Sequence, residues 1–95
     1  EIPQFINWKL NSKKTNLFIA LGCVIKGDTY HFEVISDAVG QSLLDISLSN
    51  PKTIITNGII NAYTGAQAKK RSKADSKNKD YKAASAMVRM IECLT

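Results

Sequence analysis

"LFIALGCVIKGDTYHFEVIS", residues Leu17 to Ser36, decides the fold. Leu17 to Ile25 is a nearly continuous apolar run without period-2 alternation. That pattern suggests a strand buried on both faces, as in a parallel sheet. Lys26-Gly27-Asp28-Thr29 reads as a turn, with Asp28 or Thr29 as candidate N-cap of a following helix. Apolar residues then recur at Phe32, Ile35, Val39, Leu43 and Ile46. Spacings of three and four make one stripe of an amphipathic helix. This helix is expected to end near Asn50, because Pro51 disfavours helical geometry in the residue before it.

Outward from this unit, Thr53 to Ile60 ("TIITNGII") is β-branched and reads as a second strand. "AYTGAQAKKRS" reads as a short helix and "KADSKNKD" as a polar, cationic connection. The last segment sets Tyr81, Ala84, Val88 and Ile91 on one helical face, with Met87 and Leu94 beside them. Toward the N-terminus, "NSKKTN" is a polar loop. "EIPQFINWKL" reads as a short extended piece, after which Pro3 opens a helical turn carrying Phe5, Trp8 and Lys9. Strands alternating with helices indicate an α/β layered fold with a parallel sheet. Two strands make a poor independent sheet. A preceding segment or neighbouring subunits are expected to complete it.

With 95 residues, one domain is the default. A hydrophobic fraction of 44% and a charged fraction of 22% are those of a globular protein. The formal charge is +5, and seven of the thirteen Lys and Arg fall between Lys69 and Lys82. Such a cluster suits an anionic partner: a phosphate ester, nucleic acid or an acidic lipid surface. Its alternative is a solvated basic helix end. A nucleic-acid module is disfavoured by the lack of an interleaved aromatic platform or helix-turn-helix signature. Cys23 and Cys93 form no CxxC pair, and one histidine cannot complete a Cys/His metal cluster. Cys23 is expected to be a buried thiol in a reducing, cytoplasmic setting. No apolar stretch approaches the ~20 residues that cross a bilayer. No signal peptide is visible, and Glu1 is not a natural initiator, so residues before it are expected.

In open α/β sheets, ligands bind beyond the carboxyl ends of the strands, here Ile25 and Ile60. The turn after Ile25 leads into a helix N-terminus, whose free N–H groups and positive dipole end favour an anion. Gly27 permits close backbone approach. His31, the chain's one histidine, falls in the first helical turn. A neutral imidazole beside a bound phosphate can pass a proton either way; its alternative is a plain helix-surface histidine. Arg71 suits bidentate phosphate recognition and Lys79 is a compact point charge, though by spacing alone both are surface cations.

"ALGCVIKGDTYHFEVIS", followed by "TNGII", "QAKKR", "KNK" and a closing Ala-rich helix, closely resembles the lumazine synthase family, and the opening "EIP" matches it too. The resemblance covers essentially the whole chain. It implies a flavodoxin-like, three-layer α/β/α fold on a parallel sheet that has four strands in the family. Family chains carry a strand, a helix and a strand before the position of Glu1, so this chain is expected to be a fragment. The resemblance also implies pentamers, in some members gathered into icosahedral shells, with active sites between subunits. The implied enzyme condenses 5-amino-6-(ribitylamino)uracil with 3,4-dihydroxy-2-butanone 4-phosphate to give 6,7-dimethyl-8-ribityllumazine in riboflavin biosynthesis. It needs no metal or organic cofactor, and no nucleic acid or membrane partner is implied.

By that resemblance His31 is the proton-transferring residue. The Gly27-Asp28-Thr29 turn holds the butanone phosphate, which Arg71 grips from across the subunit boundary. Cys23, Val24 and Ile25 line the pyrimidine pocket, Glu1 binds the ribityl chain, and Asn57 and Lys79 contact the pyrimidine. Two departures stand out. Ile60-Asn61-Ala62 replaces a Leu-Thr-Thr-type run, and Lys82 stands where the family has an acidic residue that positions the arginine. An alternative reading is therefore a non-catalytic assembly or ligand-binding member of the same fold.

Overall fold

A computed structural model describes residues 1–13, 15–74 and 78–94. The middle of the cationic connection, including Lys77, lies outside the described residues, as does the side chain of Leu94.

The element order is α1 (Ile2–Asn11), β1 (Leu17–Ile25), α2 (His31–Ser49), β2 (Ile54–Ala62), α3 (Gly65–Arg71) and α4 (Lys79–Leu94). β1 and β2 are parallel, in register from Leu17 opposite Ile54 to Ile25 opposite Ala62. Before the strands, Asn16 ties their entry points together. Its side chain donates to the Lys52 carbonyl at 2.9 Å, and its own carbonyl accepts from the Ile54 N–H at 2.9 Å.

Helices cover both faces of the sheet, which gives three layers. On one face, Ile6 of α1, Ala20, Leu43 of α2 and Ile59 form a buried cluster, with Ile2, Phe18, Val24, Val39 and Ile46 packed against it. Side chains alternate along a strand, so the other face takes the remaining positions. There Ile60 and Ala62 pack with Ala68 of α3. Gly58 lets α4 come close: a Cβ at Gly58 would lie 3.3 Å from the Ala83 Cβ. Among the described residues, no helix is long and apolar enough to cross a membrane.

Several expectations need correction. The N-terminal stretch is helical from Ile2, with Pro3 in its first turn. Ile6 is its buried residue, while Phe5 and Trp8 are exposed. β1 has the expected bounds but is not buried on both faces. Leu17, Ile19, Leu21 and Ile25 are exposed, and Cys23 is an exposed free thiol. The reason is topological: β2 pairs with one edge of β1, and α4 and α3 lie mainly over β2. In α4 the buried residues are Ala83 and Met87. The expected stripe of Tyr81, Ala84, Val88 and Ile91 is exposed. Close approach to Gly58 selects a small residue on the sheet side, and the bulky stripe is turned away. The N-cap of α2 is Tyr30, which makes no side-chain cap bond. Thr29 Oγ1 instead accepts from the His31 N–H at 3.4 Å.

Candidate active site

The carboxyl ends of both strands emerge at the same edge of the sheet, since Ile25 lies opposite Ala62. The two turns that follow are joined. The Lys26 N–H donates to the Ala62 carbonyl at 2.9 Å. The Lys26 ammonium sits 5.7 Å above the Tyr63 ring centroid and 3.5 Å from Glu33 Oε1. Tyr63 also packs on Phe32, with centroids 5.7 Å apart. An exposed ion pair is worth little by itself. Together, however, these contacts fix the Lys26–Thr29 turn against the start of the β2–α3 connection.

After β1, Gly27, Asp28, Thr29 and His31 are all exposed. A Cβ at Gly27 would meet nothing within 4 Å, so the chain's own packing leaves room there for a ligand. Thr29 Oγ1 takes the His31 N–H, while Tyr30 offers no side-chain cap to the N–H groups that follow in the first turn of α2. Free N–H groups at the start of a 19-residue helix can hold an anion. Glu33 is the acidic residue of that turn, and its pairing with Lys26 offsets the charge an anion would meet.

After β2, a cavity of about 500 Å³ opens between the strand end, α3 and the start of α4. Tyr63, Gln67, Lys70, Arg71 and Lys79 line it with residues 59–62. α3 is held in place by Thr64, whose hydroxyl accepts from the Gln67 N–H at 3.1 Å. The Gln67 side chain returns the contact by accepting from the Tyr63 N–H at 2.9 Å. This reciprocal cap sends Arg71 off the last turn of α3. Asn78 Oδ1 accepts from the Asp80 and Tyr81 N–H groups at 2.8 and 3.0 Å, which sets Lys79 at the first position of α4. Two cations eight positions apart in sequence thus line one concavity.

The expected site residues therefore fall into two groups. Cys23, Val24, Ile25, Gly27, Asp28, Thr29 and His31 belong to the β1 end. Arg71 and Lys79 belong to the β2 cavity, which His31 does not line. Asn57 sits mid-strand, exposed, with Oδ1 accepting from the Ile59 N–H at 2.9 Å. Glu1 is exposed at the N-cap of α1, whose Ile2 approaches Gly22. Sequence reasoning missed Lys26, Tyr63, Gln67 and Lys70. Only the Thr64-to-Gln67 capping spacing could have signalled any of them. Another cavity, about 570 Å³, lies at the opposite end of the sheet among Leu10, Asn16, Pro51 and Thr53. It gathers no candidate catalytic side chain, and ligands of such sheets bind at the other end.

Comparison with known proteins shows the family. The family model for 6,7-dimethyl-8-ribityllumazine synthase matches residues 1–95. The 6,7-dimethyl-8-ribityllumazine synthases of Afipia carboxidovorans and Bartonella henselae are each 42% identical to this chain, over 96% of it and over 58% and 59% of their own lengths. That of Bartonella tribocorum is 39% identical, over 96% of this chain and 60% of its own. The chain thus spans less than two thirds of the relatives it matches. The match of the family model along residues 1–95, with relatives 39–42% identical over 96% of the chain, places this chain in the 6,7-dimethyl-8-ribityllumazine synthase family.

Proposed function

We propose that residues 1–95 form one domain contributing both halves of an active site that condenses 5-amino-6-(ribitylamino)uracil with 3,4-dihydroxy-2-butanone 4-phosphate. The observation that carries this reading is the grouping of Arg71 and Lys79 in one cavity at the strand ends, apart from the uncapped turn that bears His31. Such a division suits a site closed between protomers, where the turn of one meets the cavity of the next. The homo-oligomer is a pentamer, free or gathered into an icosahedral shell, and works in the cytoplasm.

In this reading the substrate amine attacks the ketone, and water leaves as the imine forms. Loss of phosphate develops negative charge on the leaving group. Arg71 and the first N–H groups of α2 stabilise that charge. His31 moves protons during imine formation and ring closure, and a further water leaves as the lumazine ring closes. Asp28 and Thr29 orient the phosphate at the turn. Cys23, Val24, Ile25, Asn57, Lys79 and Glu1 contact the ribitylamino-uracil. Much of the acceleration comes from holding two substrates together.

The test is lumazine formation by the full-length, assembled protein. His31→Ala is expected to slow it by about 10²–10⁴-fold, with the particle size by light scattering unchanged. An assembled wild-type preparation that forms no product above the uncatalysed rate would overturn the assignment.

A further inference from the structure

Lys26 directly follows β1, and its backbone and side chain reach different partners. The N–H donates to the carbonyl of Ala62, the last residue of β2, at 2.9 Å. The ammonium lies 5.7 Å from the Tyr63 ring centroid and 3.5 Å from Glu33 Oε1. Tyr63 is itself fixed, by its ring contact with Phe32 and by its N–H bond to Gln67. With Tyr30 as the N-cap of α2, Glu33 falls at the third helical position. A Glu there characteristically reaches back to the N–H of the cap residue, and the positive end of the helix dipole attracts it. In this chain the carboxylate is drawn to Lys26 instead, and its Oε2 is buried with no hydrogen-bond partner. Glu33 and a bound phosphate are two anions suited to one helix start, so one excludes the other.

We propose that Lys26 is a positioning residue for the reaction: it holds Glu33 aside and neutralises it, which keeps the start of α2 open to the phosphate of the butanone. Lys26 acts through Glu33 and not on the phosphate. The Tyr63 ring gives the ammonium a second attachment, so that it stays with Glu33 when an anion arrives. The Lys26 side chain is 46% exposed. Its ion pair therefore contributes little to stability, and its loss is not expected to unfold the protein. The inference rests on the reading above, in which the Gly27–Thr29 turn receives phosphate.

Two measurements on the full-length, assembled protein test it: steady-state kinetics, and calorimetric titration with inorganic phosphate. Lys26→Met keeps the length of the side chain and loses its charge. It is expected to raise the KM for the butanone phosphate about tenfold, the worth of one charge-assisted contact, and to weaken phosphate binding alike. The kcat and the KM for the ribitylamino-uracil should change little. Lys26→Arg should keep wild-type values, since a guanidinium also pairs with a carboxylate and stacks on a ring. Tyr63→Leu should raise the same KM by about two- to fivefold. The deciding variant is Lys26→Met with Glu33→Gln, which should regain most of the loss because the competing charge is gone. Glu33→Gln alone should not raise the KM. Loss of a merely structural contact would affect both substrates and gain nothing from Glu33→Gln. The proposal is overturned if Lys26→Met leaves the butanone phosphate KM unmoved. It is equally overturned if the double variant is no better than Lys26→Met, the mark of a direct bond from Lys26 to phosphate. Should wild type form no lumazine, the titration decides separately: the same order of phosphate affinities upholds the role of Lys26 while the catalytic reading falls, and a wild type that binds no phosphate overturns both.

Discussion

β1 and β2 are the same length and pair residue for residue, and β1 is the more apolar of the two, yet β2 is the buried one. In β2, Ile54, Thr56, Gly58, Ile59, Ile60 and Ala62 are buried. In β1 only Ala20 is, and Leu21 keeps 53% of its surface exposed. The cause is what lies over each strand. β2 has helices on both faces, and β1 has them on one. The apolar row Leu17, Ile19, Leu21, Ile25 is matched by an equally exposed apolar stripe on α4, Tyr81, Val88 and Ile91. Soluble monomers rarely expose contiguous apolar patches of this kind. The row thus reads as half of a contact whose other half lies outside these residues, in line with the oligomer proposed above.

The sharpest way to break the comparison is Gly58→Val. A Cβ at Gly58 would lie 2.8 Å from Leu21 Cδ2 and 3.0 Å from the Ala20 carbonyl oxygen, besides its contact with Ala83. A leucine tip can move, but a backbone oxygen inside the ladder cannot do so cheaply. We expect a loss of about 3 kcal/mol or more, seen as a collapse of soluble yield or of the thermal midpoint. An unchanged midpoint would mean that α4 does not sit on β2 as described.

Leu21→Ser probes the other strand. A half-exposed leucine should contribute about 1 kcal/mol to the chain's own packing. Ile59→Ala, in the buried cluster, should cost about 2–5 kcal/mol. In the assembly proposed above, which would cover Leu21, the two costs are expected to converge. Chemical denaturation of both variants, with and without assembly, measures the difference. A persistently small cost for Leu21 would show its row to be free surface.

The sequence was a good guide wherever one residue's character fixes local geometry. The bounds of β1, the α2 stripe ending before Pro51, and the α3 segment follow from runs and spacing, whereas the cap of α2 falls at Tyr30 and not at Asp28 or Thr29. It failed where the answer depends on which surface a neighbour supplies. An apolar run states that a strand needs cover, not whether these 95 residues contain it; hence the wrong burial for β1 and Cys23. The α4 face was misread for a related reason. Hydrophobic patterning weights large side chains, whereas contact with Gly58 selects Ala83. In the candidate site, the His31 turn was legible as a strand–glycine–helix junction. The Lys26–Tyr63 link and the sharing of one cavity by Arg71 and Lys79 were not, because they depend on two connections folding toward each other.

The mildest test compares the two strand glycines directly. Gly22 lies one register position beyond Gly58's partner Leu21, opposite Ile59. A Cβ there would meet Ile59 Cγ1 at 3.7 Å and Ile2 Cδ1 at 3.9 Å, ordinary contacts on the face covered by α1. Its φ does not lie in the left-handed region. Gly22→Ala should therefore add contact and restrict the unfolded chain, stabilising the protein by about 0.4–1 kcal/mol. The same substitution that is welcome at Gly22 is strained at Gly58, because α1 stands off the sheet where α4 presses on it. A destabilised Gly22→Ala variant would mean that α1 lies closer to β1 than the Ile2 contact implies, and the contrast between the two faces would then narrow.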